Sequence, residues 1–130
     1  MQKMKERILQ GFFQATNERD FSQIPKLYSP QATIHTRDGK KAGPSAIIAI
    51  FQKWLEAFPD LQLEPLIHSV EEDQIVVHWR GKGTFLRQLR GISPTGKMVT
   101  MHGFTCFRCA HDQIIEHWAH VDYRPLGSDE

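Results

Sequence analysis

Between Lys3 and Arg19 the apolar residues Met4, Ile8 and Phe12, with Leu9 and Phe13, recur at four-residue intervals. That spacing lays one apolar stripe along a helix of about four to five turns. Asp20-Phe21-Ser22 interrupts the stripe. A short second helix is expected to start with Ser22 as its cap and Pro25 in its first turn, where a missing N–H costs little, and to end near Tyr28-Ser29-Pro30. Ala32 to Thr36 reads as a strand and Arg37-Asp38-Gly39-Lys40 as a turn exposed to water. Gly43-Pro44 opens a third helix, with Pro44 suited to the first helical position. Ile47, Ile48, Phe51, Leu55 and Phe58 give it an apolar face, and Phe58-Pro59-Asp60 closes it.

Beyond Pro59 the period changes to two. Leu61 to Val70 forms a strand kinked or bulged at Pro65, followed by the polar turn Glu71-Glu72-Asp73-Gln74. In the next strand Ile75, Val77, Trp79 and Phe85 alternate with His78, Arg80, Lys82 and Thr84, so one face is apolar and the other mostly polar. Arg90 to Gly96 is a loop, Lys97 to Ala110 a fourth strand, His111-Asp112 a turn, and Gln113 to Tyr123 a fifth strand. The tail from Arg124 is expected to fray. Helices first and a long meander after them make an α+β domain. Three N-terminal helices pack on one face of a strongly curved, mostly antiparallel sheet and close a pocket between them.

A two-residue turn at His111-Asp112 sets Ala110 opposite Gln113. Carried along the hairpin without interruption, that register puts Ile114, Glu116, Trp118, His120 and Asp122 on the side of Cys109, Phe107, Thr105, Gly103 and Met101. The concave side would then hold Trp118 and Asp122 with Trp79, and helices one and three would form the lid. A carboxyl desolvated by aromatic neighbours has a raised pKa, which suits a general acid or base working near neutrality. The bland alternative for Asp122 is a surface residue or a cap partner. Both faces of the hairpin carry apolar residues, so a second subunit is expected to cover the face the helices leave bare.

The whole chain, residues 1–130, has the size of one domain with one site. Sixteen Lys plus Arg against fifteen Asp plus Glu, scattered along the chain, give no electrostatic footprint for nucleic acid or an acidic membrane. No apolar run approaches bilayer length, and residues 1–10 lack the h-region and cleavage site of a secretory signal, so a cytoplasmic location is expected. Cys106 and Cys109 form a CxxC that, with His117 and His120, imitates a zinc site. Residues three apart on a strand point to opposite faces, so these pairs do not converge, and neither a metal nor any other cofactor is expected.

Gly43-Pro44-Ser45-Ala46-Ile47, Ala57-Phe58-Pro59-Asp60-Leu61, Val76-Val77-His78-Trp79, Gly83-Thr84, Pro94-Thr95-Gly96-Lys97, Phe107-Arg108 and Ile115-Glu116-His117-Trp118 with Asp122 recur in one known group. From helix one to Asp122 the chain resembles the SnoaL-like polyketide cyclases of the nuclear transport factor 2-like superfamily. The resemblance implies a cone-like α+β barrel around a pocket roofed by three helices, dimeric through the sheet. It implies a cofactor-free intramolecular aldol closure with Asp122 as acid/base; by strand parity His120 is the partnering donor, or His102 if a bulge in the fourth strand turns it inward. Tyr28, His35, Trp54, Phe58, Trp79, Met101, Thr105 and Trp118 are the candidate substrate-binding residues. Two departures stand out: Gly83-Thr84-Phe85 replaces the Gly-Thr-His of many relatives, and Ala110-His111-Asp112-Gln113 replaces an Asp-Gly-Lys turn. The superfamily also holds isomerases, hydrolases and non-catalytic binders. The expected ligand is a small apolar or aromatic carbonyl compound, and the competing readings are a pocket that only sequesters a small molecule and a scaffold for protein association.

Overall fold

The four-residue periodicity of the first segment becomes α1, Gln2–Asn17, in a computed structural model that describes residues 2–127. A single 3-10 turn, Phe21–Gln23, leads into α2, Ile24–Leu27. Then follow β1 (Tyr28–Thr36), β2 (Gly39–Ala42), α3 (Ser45–Ala57), β3 (Gln62–Glu71), β4 (Gln74–Thr84), β5 (Met98–Ala110) and β6 (Gln113–Val121). The strands form one curved sheet that does not close, in the order β2-β1-β6-β5-β4-β3. All neighbours are antiparallel except β1 and β6, which run parallel. This is the expected cone-like α+β architecture.

The period-two pattern of β4 is realised in full: Ile75, Val77 and Trp79 are buried, while Val76, His78 and Arg80 lie on the other face. Ile8, Leu9, Phe12 and Phe13 of α1 are buried over the concave side, with the ring of Phe12 edge-on to Phe107 of β5 at 5.1 Å. Asn17 at the end of α1 ties the helix to the sheet edge. Its amide nitrogen donates to the carbonyl of Leu63 at 2.8 Å and its amide oxygen accepts from the N–H of Leu63 at 2.7 Å, replacing the neighbour that edge strand β3 lacks there. The bulge expected at Pro65 is present, as Leu66 is skipped where β3 pairs with β4.

Several local expectations fail. Ser22 is not the cap of α2: it lies inside the 3-10 turn, its hydroxyl donates to Asp20, and Gln23 occupies the cap position without a side-chain bond. Pro44 stands at the N-cap of α3, one position earlier than expected. Arg37 to Lys40 is not merely a turn, since Gly39–Ala42 is a strand on β1. All four of its residues are exposed, so it has no apolar alternation to reveal it, and paired lysines suit a sheet edge. The tail does not fray at Arg124, because Arg124–Leu126 forms a 3-10 turn that buries Leu126.

Candidate functional site

Ile115 decides the lining of the site. The hairpin turn is as expected, with His111 and Asp112 both in the left-handed region (φ 53° and 64°) and Ala110 opposite Gln113. One step further Cys109 pairs with Ile114, but Arg108 then pairs with Glu116, so Ile115 is an extra residue, a β-bulge in β6. Every side chain beyond it changes face. His117, opposite Phe107, and Ala119, opposite Thr105, turn to the concave side. Trp118 pairs with Cys106 and His120 with Phe104 on the outer face.

A cavity of about 90 Å³ lies between sheet and helices. Phe12 and Phe13 of α1 and Ile47, Ile50, Phe51 and Trp54 of α3 roof it. Its floor is Leu61, Leu63, Trp79, Thr105, His117, Ala119 and Val121, with His35 contributing from β1. Ala119 is exposed and Val121 and Trp54 are half-buried, which puts the opening at that end. No carboxylate belongs to this lining.

Its polar groups are few and fixed. The indole N–H of Trp79 donates to the Thr105 hydroxyl at 2.9 Å. His117 is buried, its Nδ1 lies 2.8 Å from the Tyr28 hydroxyl, and Phe107 meets its ring edge-on at 5.2 Å. Burial disfavours its charged form and pushes its pKa from the usual 6.5 down to about 3, so the imidazole is neutral at ordinary pH. Tyr28 is fully buried, and desolvation holds its phenol well above the usual value of 10.

The proposed catalytic group lies elsewhere. Asp122 follows Val121 on the opposite side, about a third exposed, and its carboxylate accepts the Arg124 backbone N–H at 3.0 Å and the guanidinium at 2.6–3.1 Å. Those hydrogen bonds to Arg124 lower its pKa from 3.8 to about 2, the reverse of the raised value a neutral-pH acid requires. His120 and His102 are exposed on the outer face, where His102 Nδ1 lies 3.2 Å from His78 Nε2. No bulge in β5 turns His102 inward.

Of the candidate lining residues, Trp54, Trp79 and Thr105 reach the cavity, His35 only borders it, and Tyr28 stands behind His117. The imidazole of His35 faces outward, stacked on Trp118 at 4.8 Å and bonded to Glu116 at 2.6 Å, while Arg108 holds the other Glu116 oxygen. Trp118 is therefore no part of the cup. Phe58 and Met101 are completely buried in the core beside it, Phe58 stacked on Phe85. His117 was missed because the register was carried past Ile115 without a bulge. The alternative was visible: skipping Ile115 puts Glu116 outside and Ala119 and Val121 inside.

The sequence profile of the SnoaL-like polyketide cyclases matches residues 6–129. The chain belongs to that family. Among solved structures, AclR from Streptomyces galilaeus, named as a candidate hydroxylase, is 29% identical with a TM-score of 0.83, over 97% of this chain and 93% of that one. TsrD from Streptomyces laurentii is 21% identical with a TM-score of 0.87, over 98% and 97%. A candidate SnoaL-like polyketide cyclase from a Jannaschia species is 22% identical with a TM-score of 0.84, over 96% and 90%. No curated protein matches the chain. In this SnoaL-like chain no group of three or more His, Cys, Asp or Glu among the described residues is placed to hold a metal ion. No helix among them is long and apolar enough to cross a membrane.

Proposed function

We propose that this SnoaL-like protein binds a small apolar or aromatic carbonyl compound in the cavity and acts on it as a cofactor-free cyclase or isomerase, or as a hydrolase. The supporting observation is an open, aromatic-walled cavity whose floor offers only His117 and Thr105 as well-placed polar partners. A carbon flanked by carbonyls gives up its proton readily, and closure then depends on stabilising the oxygen that takes up the charge. The second reading, a binder without turnover, draws support from Asp122, which is clamped by Arg124. We further propose that a second copy covers the outer sheet face, where Phe104, Ile67 and Val76 are 53%, 70% and 41% exposed.

The deciding experiment incubates the protein with aromatic β-keto esters and follows them by mass spectrometry and NMR. Cyclisation or isomerisation gives a product of unchanged mass, and hydrolysis gives a free acid. The hydroxylase name of AclR supplies a further arm, run with dioxygen and an added two-electron reductant, in which the product sought is heavier by one oxygen atom and the second oxygen leaves as water. Binding without any product establishes the sequestering role. Failure of every ester to perturb the signals of His117 or Trp79 refutes the ligand class.

A further inference from the structure

We propose that Tyr28 locks His117 in the neutral tautomer that carries its hydrogen on Nε2, so that the cavity presents a fixed, uncharged donor to the oxygen of a carbonyl or enolate. This rests on the carbonyl reading of the cavity and assigns the recognition within it. The Tyr28 hydroxyl is wholly buried, and His117 Nδ1 at 2.8 Å is its one partner among the described residues. A buried phenol keeps its proton, and that proton needs an acceptor. Donating it to Nδ1 makes Nδ1 the bare nitrogen and leaves the ring hydrogen on Nε2. The opposite tautomer would have Nδ1–H donate to the phenol oxygen and strand a phenol hydrogen in the core.

The ring cannot turn freely to choose again. Phe12 and Phe107 hold it at 6.0 and 5.2 Å between centroids, and Tyr28 stacks on it at 6.0 Å. Nε2 has no protein partner among the described residues, and His117 belongs to the lining. Thr105 supports the same polarity: its oxygen already accepts from Trp79, which leaves its own hydrogen to donate. It lies on the same face as His117, since Thr105 opposes Ala119 and Phe107 opposes His117. Two donors and no carboxylate on the floor select a ligand by its acceptor oxygen. A neutral imidazole held in a dry site strengthens its hydrogen bond as negative charge gathers on that oxygen, without reorienting.

The test uses the full chain labelled with ¹⁵N-histidine. Long-range ¹H–¹⁵N spectra are expected to show His117 as the Nε2–H tautomer, unchanged between about pH 8 and pH 5. Acetophenone and α-methylstyrene have the same shape, but only the first has an acceptor oxygen. Wild-type protein is expected to bind acetophenone about tenfold more tightly, one hydrogen bond's worth of preference, and Tyr28→Phe to narrow that gap. An Nδ1–H tautomer overturns the proposal without any variant being needed, and so does equal binding of the two probes. If neither probe binds while the tautomer is as stated, the carbonyl reading fails and the recognition role falls with it, leaving the tautomer lock alone.

Discussion

Gly103→Ala is expected to be among the most damaging single-methyl additions in this domain. A Cβ at Gly103 would sit 2.3 Å from Trp79 Cζ2, 2.7 Å from Trp79 Cε2 and 2.8 Å from the backbone oxygen of His120. All three distances are below any real carbon contact, and two neighbours resist: the carbonyl belongs to the β5–β6 ladder, and Trp79 is only 7% exposed and anchored through its indole N–H to Thr105. Overpacking a filled core costs about 1–3 kcal/mol, and the rigid backbone partner places this case at about 2–3. At about 4 °C per kcal/mol for a domain of this size, Tm should fall by about 8–12 °C. Because Trp79 forms part of the cavity floor, its emission should shift in the folded state as the indole is displaced from Thr105. The assay is thermal unfolding by circular dichroism with parallel tryptophan fluorescence. Trp79→Phe lacks the Cζ2 atom nearest the new methyl, so the double variant should be markedly less destabilised than the sum of the singles. A Tm within about 3 °C of wild type, with unchanged emission, would refute this account of the floor.

Further outcomes follow from the charges and the outer face. Because folding lowers the pKa of His117 from 6.5 to about 3, the unfolded chain binds the extra proton, so this residue's contribution falls as pH drops below about 6.5 and levels off below about 3. Its slope approaches 1.4 kcal/mol per pH unit, and urea unfolding across that range should show a flatter acid limb in His117→Gln. Asp122, lowered to about 2, contributes stability that is present above its unfolded pKa and lost as pH falls through about 2. Because the clamp with Arg124 is exposed and screened by water, Asp122→Asn should lower Tm at neutral pH only slightly, and a steep loss would show the clamp to be structural. Phe104→Asp should convert the expected dimer to monomer in size-exclusion chromatography with light scattering, and an unchanged elution and mass would exclude this face as the interface.

The parts that could be read in advance are those where burial alternates without interruption. The stripe of Ile8, Leu9, Phe12 and Phe13 and the alternation of Ile75, Val77 and Trp79 announce their faces because each period matches its element. Gly39–Ala42 gave no such signal, since an exposed edge strand is held by ladder bonds that its side chains do not report. The site fared worst because facing in a strand accumulates from its starting point. Trp118, His120 and Asp122 were placed inside by a rule correct at Ala110 and Gln113 and reversed beyond Ile115. His35 shows a second limit, as its stack on Trp118 joins strands far apart in the chain.

The hairpin's C-terminal half stores two complete sets of side chains. His117, Ala119 and Val121 make a neutral surface, whereas Trp118, His120 and Asp122 would make an aromatic and ionisable one. Deleting Ile115 would leave Ile114 opposite Cys109 and Glu116 opposite Arg108, so the neutral set would stay inside; drawing Ile115 into the ladder would exchange one set for the other while leaving helices, roof and strand order in place. Whether the floor of this scaffold is inert or ionisable is thus decided by the pairing of a single residue at some distance from the floor itself.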